Sequence, residues 1–318
     1  QIQNIKNKNA MEYKNDLVFN TGIFYLPYHN RLDDKQILEE QSNTLSNIKG
    51  LVVNDFNMNK KLNSTNNNNN LKVGICSEFL KYSHVVGKLY IKVLLDLLKT
   101  DFEINIYVPP GKTKVSDFEI LKKNFKKVVY LPKSPINAKK EIIKDNLDIL
   151  FYPDIGMSNY TYLLALSRLA LVQLTSLGHP NTSGIKNIDY FITNNIVPHH
   201  PSSCYTERLI KFSRLPFNYP TPKINESKLT SKNIINSDNN FIIGLTQSLF
   251  KLHPDFDQVL ESILSEINNA YLILVKDKQE YKTKNLKNRW KKQNNLLLER
   301  SIFLERMPTD DFINTTKK

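Results

Sequence analysis

LKVGICSEFLKYSHVVGKLYIKVLLDLLKTDFEINIYVPPG, residues Leu71–Gly111, decides the fold of this chain. Leu71–Cys76 is a short apolar run that reads as a strand. In Val85–Leu98, Val86, Leu89, Val93 and Leu97 fall on one face of a helix. Phe102–Val108 alternates with period two and stops at Pro109-Pro110-Gly111. Strand, helix and strand in this order imply parallel pairing, because a parallel partner is reached only through a crossover of helical length.

The alternation continues outward. Val115–Phe125 reads as a helix, Lys127–Leu131 as a strand, Asn137–Asn146 as a helix, and Leu147–Tyr152 as a strand closed by Pro153. A helix near Tyr160–Leu169 and strands at Leu171–Leu174 and Asp189–Thr193 complete a doubly wound sheet. A second alternation has strands at Phe241–Leu245, Tyr271–Val275 and Ile302–Leu304, a helix at Asp255–Ile267, and a further helix starting near Thr309. Upstream, Ile37, Leu38, Leu45 and Ile48 mark an amphipathic helix within Asp33–Ile48. The expected fold is α/β, with two Rossmann-like doubly wound domains facing a cleft and the second incomplete. The expected divisions are a helical N-terminal extension (1–53), an Asn-rich low-complexity linker (54–70), a first domain (71–215), an interdomain linker (216–240) and a partial second domain (241–318). Residues 1–20 and Asn54–Asn70 have too few apolar groups to offset their ordering entropy.

Composition narrows the function classes. The chain has 318 residues, 40% of them hydrophobic, enough for two cored domains. It holds no window of about 18 uncharged apolar residues, so no membrane span is expected, and no apolar signal segment is visible. It begins with Gln1, which suggests an internal piece of a longer product. Two cysteines, Cys76 and Cys204, fit a reducing compartment, and a cytoplasmic or nucleocytoplasmic location is expected. Cys76 reads as a small buried thiol. His199 and His200 are flanked by Pro198 and Pro201, a loop pair and not a helical chelate, so no metal site is expected. The net charge of +13 would attract polyanions. Lysine and asparagine are nevertheless spread along the whole chain without an aromatic-laced basic stripe, so nucleic acid is not the expected partner.

Ligands of doubly wound sheets sit beyond the carboxyl ends of the strands. His84 lies there, just before a helix, where the helix dipole favours a neutral imidazole. It reads either as a base or as a surface or capping histidine. In SRLALVQLTSLGHPNTSGIKNIDYFIT, Ser167–Thr193, Gly178 and Gly184 flank a polar turn after a strand. Its hydroxyls and backbone N–H groups can face a ligand, or the turn can be purely structural. LTQSLFKLHPDFDQVL, Leu245–Leu260, and FLERMPTDDF, Phe303–Phe312, occupy the corresponding strand ends of the second alternation. Asp255 and Asp257 superficially suggest a metal-binding pair, but they follow Pro254 in a first helical turn, where carboxylates complement the dipole.

These segments resemble the nucleotide-sugar-dependent glycosyltransferases of the O-linked N-acetylglucosamine transferase and SPINDLY family. The resemblance runs from about residue 22 to about residue 312. It rests most on Arg168, Ala170, Val172, Gln173, then Gly178, His179, Pro180, Thr182, Ser183 and Gly184, then Asp189, Tyr190 and Ile192. Leu171 stands where the family usually has Pro, and the loop before His84 is about two residues longer than the family's. The resemblance implies a metal-independent, inverting transfer with no cofactor, from UDP-N-acetylglucosamine to protein Ser or Thr. It implies His84 as the catalytic base, Lys251 on the donor diphosphate, Gln247 and Ser248 near a donor-binding amide, and Met307 and Phe312 beside the uracil. The family continues with a Gly/Thr-rich phosphate loop and an acidic ribose contact. The sequence given stops at Lys318, so this piece is expected to be inactive. Related transferases use GDP-fucose or UDP-glucose, and a non-catalytic binding module of the same fold is the remaining alternative.

Overall fold

A computed structural model of the chain describes residues 23–29, 33–59, 70–111, 118–195, 202–221, 240–293 and 295–316. The expectations for residues 1–20, for 60–69 of the Asn-rich stretch, for 222–239 of the linker and for His199 and His200 fall outside the described residues. Contacts divide the chain into two units, one of Gln1–Pro27 and Arg31–Pro220, the other of Tyr28–Asn30 and Thr221–Lys318.

In the first unit, helix α1 (Asp34–Ser46) precedes β1 (Lys72–Cys76), α2 (Val85–Leu97), β2 (Glu103–Val108), α3 (Glu119–Asn124) and β3 (Lys127–Tyr130). Then come α4 (Pro135–Lys144), β4 (Leu147–Tyr152), α5 (Asn159–Ala165), β5 (Ala170–Ser176), β6 (Tyr190–Asn194) and β7 (Arg208–Phe212). The seven described strands pair in parallel in the order β3-β2-β1-β4-β5-β6-β7. A parallel sheet must be covered on both faces, and alternate side chains divide accordingly. Val73, Ile75, Ile104 and Ile106 pack with Val86, Leu89 and Leu94 of α2. Cys76, Tyr107, Leu150 and Tyr152 pack on the other face with residues of α1, α4 and α5, including Leu38, Ile142 and Leu163. Each such side chain contributes about 1.5–3 kcal/mol on burial.

Two details differ from the sequence expectation. Helix α4 starts at Pro135, because Ser134 Oγ accepts from the Asn137 amide and proline is preorganised for the first helical position. Strand β7 was not expected. It is an edge strand with no buried residue, and in RLIKF the adjacent Leu209 and Ile210 break the period-two alternation. Beyond α2, an apolar groove of about 570 Å³ runs along the sheet, lined among others by Ile149, Phe151, Leu174 and Ile192.

The second unit contains β8 (Phe241–Leu245), α6 (Pro254–Glu266), β9 (Ala270–Val275), α7 (Glu280–Gln293), α8 (Asn295–Glu299), β10 (Ser301–Leu304) and α9 (Thr309–Thr316). Its three described strands are parallel, ordered β10-β9-β8. Leu260, Leu264, Leu272, Leu274 and Trp290 form the core. Helix α7 is a further element absent from the sequence reading. Among the described residues, no helix is long and apolar enough to cross a membrane.

Candidate functional site

The carboxyl ends of β8, β9 and β10 open into one pocket of about 230 Å³ in the second unit. The segment after β8 contributes Thr246, Gln247, Ser248 and Leu249. The segment after β9 adds Lys276 and Asp277, and the segment after β10 adds Arg306 and Met307. Thr309 and Phe312 complete it from α9. Gln247, Ser248, Met307 and Phe312, which come from sequence segments some 60 residues apart, are therefore brought together. Asp277 orders its own turn: its amide donates to Thr283 Oγ1 at 3.0 Å, and its carboxylate accepts from the Gln279 amide at 2.9 Å. Lys276 pairs with Glu305.

Lys251 does not line this pocket. Its amide donates to Ser248 O at 2.9 Å, which ties it to the same loop, while its exposed ammonium lies 5.3 Å from the centre of the Tyr28 ring. Asp257 is buried and engaged by Arg289, at 2.8 Å from both Nη2 and Nε, whereas Asp255 is exposed. This pair stabilises α6 and its packing. Among the described residues, no group of three or more His, Cys, Asp or Glu side chains is placed to hold a metal ion.

In the first unit, the turn from Gly178 to Gly184 is built by long-range pairing. A β-carbon on Gly178 would lie 1.9 Å from Pro153 O. Gly184 has φ +68° and a β-carbon there would lie 2.4 Å from the Leu38 carbonyl carbon, so both positions need glycine. The Thr182 and Ser183 hydroxyls do not project outward. Both are buried and donate to the buried carboxylate of Glu207, Thr182 at 2.6 Å, and the Ser183 amide adds a bond of 2.8 Å. His179 is 2% exposed, near Phe24 O and against Gly156, and burial lowers its pKa to about 4. Pro180 is exposed, and its carbonyl accepts from Tyr205 Oη at 3.4 Å. Arg168 and Asp189 form a two-pronged ion pair at 2.5 and 3.0 Å. The Gln173 amide donates to the same carboxylate, and its side chain ties Leu169 N to Asn187 O. Most of the strongest sequence match is thus scaffold.

His84 is half-buried at the N-terminus of α2, where Nδ1 accepts from the Val86 amide at 3.2 Å. Burial first, and the Lys81 ammonium second, lower its pKa from 6.5. Sequence reading missed the partners of its loop. Asp154, wholly buried just beyond β4, accepts from Ser77 Oγ at 3.0 Å and from the Glu78 amide at 3.2 Å. Burial raises the Asp154 pKa to about 7 against those bonds. Its place after a strand end was the one available signal. His253 repeats the arrangement in the second unit. It too lies eight positions past the end of its first strand and caps a helix, accepting from the Asp255 amide at 3.3 Å.

No protein-family profile matches the chain. A probable UDP-N-acetylglucosamine–peptide N-acetylglucosaminyltransferase SPINDLY of Eustoma exaltatum subsp. russellianum is 31% identical over 136 residues, 42% of this chain and 14% of its own length. A UDP-glucose:protein N-beta-glucosyltransferase of Actinobacillus pleuropneumoniae serotype 7 is 26% identical over 137 residues, 41% of this chain and 21% of its own. The solved structure of a mutant O-GlcNAc transferase from Thermobaculum terrenum matches with a TM-score of 0.70 at 18% identity, over 99% of this chain and 60% of that one. The chain thus spans well under two thirds of the length of these proteins. The chain is thus similar to SPINDLY transferases over about two fifths of its sequence, and it shares the fold of the O-GlcNAc transferase, with its two parallel α/β sheets, over nearly all of its length.

Proposed function

We propose that this chain serves the transfer of a sugar from a nucleotide donor to a protein, with UDP-N-acetylglucosamine as donor and a Ser or Thr hydroxyl as acceptor. The observation that carries this reading is the pocket at the ends of β8, β9 and β10, which gathers Gln247, Ser248, Met307 and Phe312. Phe312 and Met307 offer a flat base apolar contact, and the loop amides and hydroxyls offer hydrogen bonds to the base and ribose. Arg306 and Lys276 line the same pocket and supply positive charge. Lys251, on the loop that also carries Gln247 and Ser248, is the group proposed for the diphosphate, where negative charge grows as the glycosidic bond breaks. The acceptor hydroxyl oxygen attacks the anomeric carbon opposite the diphosphate, its proton passes to solvent water, the bonding pair leaves with the nucleotide, and the configuration inverts. The transfer needs no metal ion or cofactor in this reading.

The test is calorimetric titration with UDP, GDP and UDP-N-acetylglucosamine, with and without a chelator. Saturable UDP binding that survives the chelator and weakens in Phe312→Ala supports the reading. Failure of UDP to bind at millimolar concentration refutes it. The likeness to a glucosyltransferase favours UDP-glucose as the second donor to try. Equal or tighter binding of UDP-glucose would change the sugar but leave the site.

A further inference from the structure

The loop from β1 to α2 lies at a topological switch point. Strand β1 sits between β2 and β4; the chain leaves β1 towards β2 and leaves β4 towards β5, on the other side. The crevice where strand order reverses is where open parallel sheets take ligands. Two independent observations meet there.

The first is the orientation of His84. Its Nδ1 accepts the Val86 amide, and its ring stacks on Phe79 with centroids 4.4 Å apart and planes 21° apart. A ring nitrogen that accepts a hydrogen bond carries no proton. The neutral ring must then hold its proton on Nε2, on the edge turned away from the helix amide. The second is the state of Asp154. Its Oδ2 holds the start of the same loop through Ser77 and Glu78, while its buried Oδ1 has no hydrogen-bond partner. The start of the loop that carries His84 is thereby pinned to the end of β4.

We propose that His84 is held as the Nε2-protonated neutral imidazole and offers the crevice between β1 and β4 a hydrogen-bond donor for a ligand oxygen, not a base for a ligand proton. To act as a base, Nε2 would have to be bare. The proton would then occupy Nδ1 and remove the acceptor from the Val86 amide, so that α2 would lose its cap. The imidazolium loses the same bond. Burial and the nearby Lys81 ammonium also oppose that form. The proposal deepens the transfer reading and rests on it for the ligand: the oxygen is one belonging to the acceptor or the sugar donor, and the proton of an acceptor hydroxyl passes to solvent water.

The experiment is a two-bond proton–nitrogen correlation spectrum of the chain labelled with nitrogen-15 in histidine, recorded from pH 5.5 to 8.5. His84 is assigned by its loss in His84→Asn. The expected result at pH 7.5 is a bare Nδ1 and a protonated Nε2, with the imidazolium becoming the major form only at a lower pH than in an unburied histidine. A protonated Nδ1 at pH 7.5, in either the neutral or the charged ring, overturns the proposal. Asparagine can keep the cap while removing the Nε2 donor, whereas His84→Ala removes both. Asn is therefore expected to preserve the thermal midpoint that Ala lowers, and equal loss in both also overturns the proposal. Titration of the uniformly nitrogen-15-labelled chain with UDP-N-acetylglucosamine, read at the Thr246 and Met307 amides, tests the transfer reading separately. Absence of any shift there would refute that reading without altering the tautomer result.

Discussion

Lys139 Nζ donates to the backbone carbonyl of Leu51 at 2.6 Å, in a position with no exposure to water. It is the bond by which α4 holds the segment that follows α1. No carboxylate shares in it, so burial lowers the Lys139 pKa from 10.5 to about 7. In the unfolded chain the amine stays protonated up to its ordinary value. Between pH 7 and 10.5 unfolding therefore takes up a proton, and stability rises with pH across that window. Below pH 7 the penalty is complete, on the order of 5 kcal/mol for a shift of that size. Lys139→Met should flatten this rise. It should gain relative to the parent at pH 6 and lose relative to it at pH 10, where Leu51 O lacks a donor. Urea unfolding at both values checks the sign, and parallel curves for the two proteins would contradict it.

Glu207→Gln should destabilise the first unit by about 1–3 kcal/mol, because one of three converging donors then meets an amide N–H. The measurement is chemical unfolding of the variant. The same change should leave UDP binding intact, since Glu207 belongs to the first unit and the pocket to the second.

Gly184→Ala should act at a distance in sequence. The new methyl meets the backbone of Leu38, which a side-chain rotation cannot relieve, and the positive φ adds about 1 kcal/mol. Hydrogen exchange should quicken in α1 as well as around residue 184. Exchange confined to the turn would show that α1 does not rest on it.

Phe312→Ala and Arg306→Ala should each weaken UDP binding by roughly tenfold or more, equivalent to about 1.4 kcal/mol. Asp255→Ala, a change at the exposed carboxylate in α6, should leave it unchanged. Calorimetry of the three variants distinguishes these outcomes.

The parallel alternation was legible because β1, β4 and β8 are dense apolar runs bounded by turn residues. Helix α7 was not. Only Thr283, Leu286 and Trp290 are buried in EYKTKNLKNRWKKQ, and its lysines mask so narrow a stripe. The β8 and β10 sides of the pocket could be read because each has a local motif. Lys276, Asp277 and Arg306 carry none, and join the pocket only when three strands end at the same level. The Gly178–Gly184 turn was legible as a turn, but the direction of its hydroxyls depends on Glu207, 24 and 25 residues further on. Likewise His84 announced a strand-end loop, while the identity of its ring proton needed the Val86 amide.

The order of the strands also sets a timetable for synthesis. Val73 of β1 pairs with Ile149 of β4, so the middle of the sheet has no second neighbour until about 76 further residues have been made. At roughly 5–20 residues per second, that leaves one edge of β1 open for several seconds while β2 and β3 already pair on the other. A nascent chain in that interval exposes a short, apolar parallel ladder to any other strand within reach. The step that closes the edge is the arrival of Leu147–Tyr152, and slow translation before that point lengthens the time the growing chain spends vulnerable to mispairing.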